Sequence, residues 1–551
     1  MKFIIALWLG KLINLLVSII DKSRGSNLAG QWAMKIDRKM VYHFWKKGID
    51  CSKVLFVTGT NGKSTTNNLI NHIFKVNGKK VVSNLEGANL IFGIATALIK
   101  ASTLTGKINT DFFIFETDER FMPIIRAQLP AENVMITNLE KDQVQRNGDP
   151  DFIYRKLYQA FGGHQNPAGA SGGYQNPAGA VFGEHQNPAG ASSFSEHQNP
   201  AGASGTVSGS SQSQTDSLAA NSASAVKLQG GGTADNASFT AVATEAAAVA
   251  AAMDVKEYLP VRTMYLNNEE PRSRSLGSLA GRVVTYGVEK HSESFIKNET
   301  YVTMPCPRCR HKISFGPFNT DGMGRFVCTG CGYHSEAHAD YEIGEVDFDR
   351  KEFDFRAVKF TMPYDMPYML YNYAAAIAVA EDFGGISPVD AAKAFGSFKN
   401  VGGRYEVLKY KGKTIKYMRI KQENPETLQS TLNVIASDKN SKMVILGLYP
   451  VADVVPYYTN TFYAFDCDFS RVVTSNVEKY FCFSDPVCYD TANRLLYEGV
   501  DPDLISIDPK DDPETILREI DSCETDDIYI ITWMHIFQNL QAYVKKEGLD
   551  K

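Results

Sequence analysis

Between Lys53 and Thr66 the chain reads K-V-L-F-V-T-G-T-N-G-K-S-T-T, an order of residue types suited to holding phosphate oxygens. Val54 to Val57 is a short apolar run that reads as a buried strand; glycines follow at once, and Ser64 begins a helix. Gly59 and Gly62 let backbone N–H groups curl around an anion, and Lys63 adds a point charge. Ser64 offers a hydroxyl to Mg²⁺, and the new helix turns the positive end of its dipole to the same spot. The loop, G-T-N-G-K-S, is shorter than the general G-x-x-x-x-G-K-[ST] pattern. An ordinary glycine turn before a helix is the competing reading, but strand, glycines, lysine and hydroxyl in this order favour a site for the phosphates of ATP.

Two further constellations carry chemistry. Phe112–Phe115 reads as a strand that ends in Glu116-Thr117-Asp118-Glu119, and an acid at a strand end beside a phosphate loop is where Mg²⁺ is held. Glu116 is the first choice; Asp118 and Glu119 are either further ligands or solvated charges. Farther along, Cys306-x-x-Cys309 and Cys328-x-x-Cys331 have the spacing of a zinc ribbon, with Pro305, Pro307, Gly330 and Gly332 turning the knuckles. Four thiolates leave no open position, so the metal is expected to be structural; a tetrahedral iron site is the alternative. His311, His334 and His338 lie nearby and are read as solvent-facing. Cys51, Cys467, Cys482, Cys488 and Cys523 have no paired spacing and are read as small buried apolar residues.

The elements that must position these groups are visible as alternation. Val54–Val57, Lys80–Ser83, Phe112–Phe115 and Val134–Thr137 read as strands, separated by helical patterns at Ser64–Phe74 and near Leu90–Lys100. That predicts a parallel sheet with helices on both faces. An apolar helix is expected at Tyr371–Phe383. From about Lys409 strands at Met443–Leu448, Tyr480–Phe483 and Ile528–Thr532 again alternate with helices, which predicts a second α/β domain. The expected organisation is an N-terminal helical segment over 1–50, a nucleotide-binding domain over 51–408 with the ribbon at 301–341, and a C-terminal α/β domain over 409–551.

Residues 162–254 break this pattern. Ala, Gly, Ser, Asn, Gln and Thr dominate, and [HY]-Q-N-P-A-G-A occurs four times, beginning at His164, Tyr174, His185 and His197. Such a segment buries too little apolar surface to offset its ordering entropy, so it is expected to be a disordered insertion, its histidines solvated; Ala246–Ala252 alone reads as a helix. Spacings this short and irregular do not fit a solenoid.

The chain has 551 residues, 22% charged and 44% hydrophobic, with a net charge of −5. This is a soluble, multidomain composition without the basic excess a general nucleic-acid binder needs. Nine cysteines, four of them in C-x-x-C pairs, fit a reducing compartment. Met1–Ile20 is apolar, but Lys11 interrupts it and no small-residue cleavage site follows, so export is not expected. An amphipathic helix is expected there, packed on its neighbour or touching a membrane surface.

At these residues the chain resembles the MurT branch of the Mur ligases, the synthetase subunits of lipid II isoglutaminyl synthase. The resemblance runs through W-L-G-K (Trp8–Lys11), T-G-T-N-G-K-S-T-T, S-N-L-E-G-A-N-L-I-F-G-I (Ser83–Ile94), F-E-T-D-E-R (Phe115–Arg120) and I-T-N-L-E-K-D-Q-V-Q-R-N-G (Ile136–Gly148). It resumes at Tyr265-Leu266-Asn267, the four cysteines, Gly402–Glu406 and Y-D-T-A-N-R-L-L-Y-E-G-V (Tyr489–Val500). It implies a Mur-type ATPase domain with an inserted zinc ribbon and a C-terminal Rossmann-like domain. It also implies ATP-dependent amidation of the α-carboxylate of D-glutamate in lipid II to D-isoglutamine, through an acyl phosphate. Ammonia would come from a GatD-type glutaminase partner in a heterodimer. The implied setting is cytoplasmic, peripheral at the inner face of the membrane.

By match, Gly59, Thr60, Asn61, Gly62, Lys63, Ser64 and Thr65 would hold the triphosphate, Glu116 the Mg²⁺, Asn267 the nucleotide and Arg404 a phosphate. Arg404 as a surface partner of Glu406 is the competing reading. Asn138, Asp142 and Gln143 match the segment where other Mur ligases place a second-metal histidine. The family's L-N-D-N-Y-A-D-G-x-D-V-S-W block falls at Val451–Tyr463, read here as V-A-D-V-V-P-Y-Y-T-N-T-F-Y. Asp453 matches its first aspartate and inherits the catalytic role, whereas Tyr457 and Asn460 replace the later two. The family's K-N-P-A-G becomes Gln422–Glu426, and the repeat insertion is a third departure. Two alternatives stay open: a Mur-type ligase that adds an amino acid, and a nucleotide-binding subunit that has lost turnover.

Overall fold

Apolar residues at helical spacing build three helices before any strand forms. In the computed structural model, α1 (Lys2–Ile20) turns Phe3, Ala6, Leu7 and Gly10 inward against α2 (Leu28–Ile36) and α3 (Met40–Lys46). The structure describes residues 2–20, 27–85, 89–140, 150–162, 259–296, 304–320, 322–398, 405–418, 425–449 and 467–550. These fall in one compact unit, Met1–Gln165 with Ala248–Lys551. The second unit, Asn166–Ala247, holds most of the repeat segment; that segment and the Ala246–Ala252 helix expectation lie outside the described residues.

The first sheet grows from β1 (Val54–Thr58), whose five residues are all buried. Next come α4 (Lys63–Val76), β2 (Val81–Val82), α5 (Ile91–Ala101), β3 (Phe112–Glu116), α6 (Met122–Gln128), β4 (Asn133–Ile136) and α7 (Pro150–Gly162). After the insertion follow β5 (Val261–Asn267), α8 (Pro271–Ser275) and β6 (Ala280–Val288). The hairpin β7 (Ile313–Thr320) and β8 (Met323–Cys328) carries the cysteines; then come β9 (Tyr341–Asp347), β10 (Glu352–Phe355) and β11 (Val358–Thr361). The strand order is β11-β10-β9-β6-β5-β4-β1-β3-β2. Pairing is parallel from β2 to β9 and antiparallel at the β9–β10–β11 edge. Having β3 on one side of β1 and β4 on the other makes the carboxyl end of β1 a topological switch point, where open α/β sheets leave a crevice.

Helix α9 (Pro367–Ala378) continues into a π-helical turn at Val379–Phe383, where the sequence suggested one helix over Tyr371–Phe383. It is buried from Met369 to Ala378, as an apolar helix must be when no face is polar. Its small residues let it lie close on α4 and β6 in the main core. The helix α10 (Pro388–Phe395) closes this layer.

A six-stranded sheet follows. Its elements are β12 (Tyr405–Tyr410), β13 (Lys413–Met418), α11 (Pro425–Ser437), β14 (Lys442–Leu446), α12 (Ser470–Val473), β15 (Val477–Phe483) and α13 (Val487–Tyr497). β16 (Ile505–Asp508), α14 (Pro513–Asp521), β17 (Asp527–Ile531) and α15 (Met534–Lys546) complete it. The order β12-β13-β17-β14-β15-β16 is parallel apart from the β12–β13 pair. One core packs α11 and α13 on one face, the other packs α14 and α15 on the opposite face. Cys467, Cys482, Cys488 and Cys523 are buried, but Cys51 is only half-buried.

Glu269, just past β5, is fully buried where the first sheet meets the cysteine hairpin and α9. Its carboxylate accepts from the Tyr371 hydroxyl, from Asn319 Nδ2 at 3.1 Å and from Val288 N–H at 3.3 Å, with Arg325 Nε at 3.5 Å. Burial outweighs these donors and raises the pKa from 4.5 to about 7. A folded-state pKa above the unfolded one means the native state holds the proton more tightly. Stability is therefore fullest below pH 4.5 and is lost as pH rises through about 7. Against wild type, Glu269→Gln should gain relative stability in urea unfolding as pH rises across that window; a pH-independent difference would refute the assignment.

Candidate functional site

Backbone geometry places the phosphate-type loop at the switch point. Gly59 has φ +122° and Gly62 φ +81°, values that favour glycine. A Cβ at Gly59 would lie 2.3 Å from Thr137 Oγ1 and 2.8 Å from the Asn138 carbonyl; one at Gly62 would lie 2.2 Å from Asn372 Oδ1. The end of β4 holds the loop from the other side. Thr60 N–H donates to the Asn138 carbonyl at 2.8 Å, and Asn61 N–H to Asn138 Oδ1 at 2.8 Å. Glu140 N–H donates to Thr60 Oγ1 at 3.1 Å, and Glu140 Oε2 accepts from Asn61 Nδ2 at 2.6 Å.

The charged groups converge here. Lys63 Nζ donates to the carbonyls of Gly59 and Thr60 and sits 3.1 Å from Glu119 Oε2. Ser64 Oγ donates to Glu116 Oε1 at 2.9 Å, which follows from the register that sets Val57 beside Glu116. Asn84 clamps the Glu116 backbone twice, accepting from its N–H at 2.9 Å and donating to its carbonyl at 2.8 Å. Asp118 takes Arg120 on both oxygens, at 3.0 and 2.7 Å. Burial pushes the Asp118 carboxyl upward, but the Arg120 guanidinium outweighs it and holds the pKa below the usual range. Glu116, Asp118 and Glu119 are all buried, so none of them is a solvated charge.

The fit to a nucleotide's phosphates is geometric: two glycines that admit no side chain, a lysine, and a hydroxyl against a buried carboxylate at a helix start. Thr65 is buried behind the loop on α4. Asn267, also buried, ends β5 on the same sheet edge, two strands from β1; its Oδ1 accepts from Glu269 N–H at 2.9 Å and its Nδ2 lies 3.2 Å from Met323 Sδ. Asp142, Gln143, Arg404 and Asp453 lie outside the described residues. Residue types and spacing did not reveal Asn84, Glu140 or Asn372. Thr66 Oγ1 donates to Asn372 Oδ1 at 3.1 Å across 306 positions of sequence, and only a polar residue in a run of alanine and tyrosine hinted at it.

The four cysteines meet as their spacing suggests. Cys306, Cys309, Cys328 and Cys331 bring their sulfurs within 4.8 Å of one another, with Cys309 to Cys328 at 3.4 Å and Cys306 to Cys331 at 3.8 Å. A tetrahedron of ~2.3 Å metal–sulfur bonds has edges of roughly 3.8 Å, so the donor set fits a tetrahedral thiophilic metal. N–H groups of Arg308 and Gly330 point at Cys306 and Cys328 sulfurs, at 3.4 Å each. His311, His334 and His338 are exposed. The hairpin docks through Tyr333, whose hydroxyl donates to the Pro271 carbonyl at 2.9 Å, and through the Arg310–Asp151 ion pair to α7.

Comparison with known proteins shows what this chain is similar to. Residues 57–244 match the Mur ligase middle domain and residues 422–534 the MurT ligase C-terminal domain. Over 476 residues the chain is 22% identical to the MurT subunit of glutamine-hydrolysing lipid II isoglutaminyl synthase of Staphylococcus aureus (strain COL), covering 86% of this chain and 83% of that protein. A 138-residue stretch is 34% identical to the MurT subunit of Streptococcus pneumoniae (strain ATCC BAA-255 / R6), covering 25% of this chain and 29% of that one. Among solved structures, a pseudomurein peptide ligase type C from Methanothermus fervidus shares the fold with a TM-score of 0.54 at 15% identity, over 92% of this chain and 81% of that one. The chain is therefore similar to the MurT type of Mur ligase in sequence and has a Mur-ligase-type α/β fold, with a Mur ligase middle domain and a MurT-type C-terminal domain matched in turn.

Proposed function

We propose that this chain is the synthetase subunit of an amide-forming ligase that amidates the D-glutamate α-carboxylate of lipid II to D-isoglutamine in peptidoglycan synthesis. The observation that carries the reading is the Lys63–Ser64–Glu116 cluster at the sheet's switch point, in a chain whose C-terminal part matches the MurT type. A carboxylate is a poor electrophile. Transfer of a phosphoryl group from ATP to the carboxylate releases ADP and makes an acyl phosphate; ammonia then attacks its carbonyl carbon, and phosphate leaves with the proton that nitrogen loses, giving the amide. The ammonia is assigned to a GatD-type glutaminase partner, and the setting is cytoplasmic.

Within that scheme the loop Gly59–Thr65 holds the triphosphate and Lys63 neutralises charge on the phosphoryl group in transfer. Ser64 and Glu116 would hold Mg²⁺, which when bound neutralises phosphate charge. Asn267 is assigned to the nucleotide, Arg404 to a phosphate and Asp453 to catalysis. The four cysteines would hold Zn²⁺ as a structural ion that orders the hairpin against α8.

Lys63→Ala should lower amidation by about 10²-fold or more with ATP, glutamine and partner present, while the circular dichroism spectrum is unchanged. Normal amidation by that variant would remove the reading. Glu116→Gln should raise the Mg²⁺ concentration needed for half-maximal rate. If the purified chain alone joins a free amino acid to a precursor, the amino-acid ligase reading replaces this one; if nucleotide binds but the partnered protein never turns over, the lost-turnover reading does.

Removing the thiolate metal with a chelator should release about one Zn²⁺ per chain and lower the melting temperature. Iron in the released fraction would correct the metal. No metal released and no change in melting would correct the site.

A further inference from the structure

Helix α1 is apolar on two opposite sides. Phe3, Ala6, Leu7 and Gly10 face the protein, while Ile5, Trp8, Leu12, Leu15 and Leu16 recur at helical spacing on the other side and are 49–59% exposed. Helix α2 repeats the arrangement: Ala29, Gly30, Ala33 and Met34 are buried, and Leu28, Trp32 and Ile36 are exposed. Both helices pack on α5 and on each other, and these are the apolar residues that the packing leaves exposed. A solvated helix pair ordinarily carries charge on such a face, and a contiguous apolar patch marks an interaction surface.

What covers it is indicated by the charges around it. The first 50 residues hold nine Lys or Arg and three Asp, a balance of +6 in a chain of net −5. They also hold Trp8, Trp32 and Trp45, three of the chain's four tryptophans. Lys35 Nζ lies 4.6 Å from the centre of the Trp32 ring and Lys46 Nζ 3.8 Å from that of Trp45. Tryptophan beside lysine is the pairing suited to a headgroup layer, where the ring sits at the boundary and the ammonium reaches phosphate. The remainder of the chain is net negative, so an anionic surface attracts this end and repels the rest, which sets orientation. Among the described residues no helix is long and apolar enough to cross a membrane, so the contact lies in the plane of the surface.

We infer that α1 and α2 form a docking face for an anionic phospholipid surface, with Ile5, Trp8, Leu12, Leu16 and Trp32 entering the headgroup boundary and two exposed lysines, Lys35 on α2 and Lys39 in the turn that follows it, pairing with lipid phosphates. This rests on the surface itself and not on the amidation reading, so each can fail without the other.

The test is co-sedimentation of the full chain with vesicles of phosphatidylcholine, alone or mixed with phosphatidylglycerol, read also by tryptophan fluorescence. Binding to the mixed vesicles should exceed binding to neutral ones by about tenfold or more, weaken with added salt, and shift the emission to the blue. The double variants Leu12→Glu/Leu16→Glu and Lys35→Glu/Lys39→Glu should each lower it about tenfold, with melting temperature and nucleotide binding unchanged. Wild type that stays in the supernatant, or variants that bind as wild type does, would overturn the proposal. So would a leucine variant that alters only self-association or partner capture, since the face would then be a protein interface.

Discussion

The loop and acid cluster depend on a short backbone passage with no room for a side chain at two of its positions. Gly59 and Gly62 take positive φ while pressed against Thr137, Asn138 and Asn372, so the conformation and the close approach are demanded together. The two N–H groups between them are tied to Asn138, through its carbonyl and its side chain. A loop fixed this way keeps its shape without an anion to organise it, and a preformed cradle loses less entropy on binding. The parallel register extends the constraint: with Val57 beside Glu116, the first hydroxyl of α4 must meet the last carboxylate of β3.

A buried cluster of acids would normally protonate or unfold the site. Here each carboxylate has an assigned donor. Glu119 has Lys63, Asp118 has both arms of Arg120, Glu116 has Ser64 and Glu140 has Asn61. Asp118 consequently stays ionised while Glu269, whose donors are mostly neutral, is pushed toward neutral pH by the same degree of burial. The difference lies in the guanidinium, bidentate at Asp118 and only a single 3.5 Å approach at Glu269.

What was legible in the sequence was local. The strand, glycines, lysine and hydroxyl sit within fourteen residues, and each cysteine knuckle within four, so spacing alone implied their geometry. The groups that hold them in place were not legible, because they arrive from elsewhere in the chain. Asn84 comes from the loop after β2, Asn372 from a helix that reads as pure core, and Asn138 from just past β4, where the resemblance pointed to a second metal and not to a tie on the loop. Nothing in an asparagine's neighbours says which distant backbone it will bind. Periodicity found α1 but left its partner open, since a helix with two apolar faces gives the same pattern whether one face or both are buried. Strand ends moved by one to three residues, as at β15, which begins at Val477 where apolar content alone suggested Tyr480.

Helix α5 joins the two ends of the molecule that matter. At its C-terminal end Lys11 of α1 donates to the carbonyls of Ile99 and Ser102, at 2.9 and 2.5 Å, satisfying acceptors the helix leaves open. Along its length Gly30 of α2 comes so near that an added Cβ would lie 2.0 Å from the Phe92 carbonyl, and its N–H donates to Thr96 Oγ1 at 2.8 Å. At its N-terminal end the preceding loop reaches the acids: Asp118 N–H donates to the Asn89 carbonyl at 2.9 Å, and Asn84 brackets Glu116. The N-terminal helices thus pack along the whole of α5, α2 near its start and α1 at its end, while residues of the preceding loop bracket the acids. A surface engaged by α1 and α2 would therefore be tied, through α5 and the residues just before it, to the acids at the end of β3.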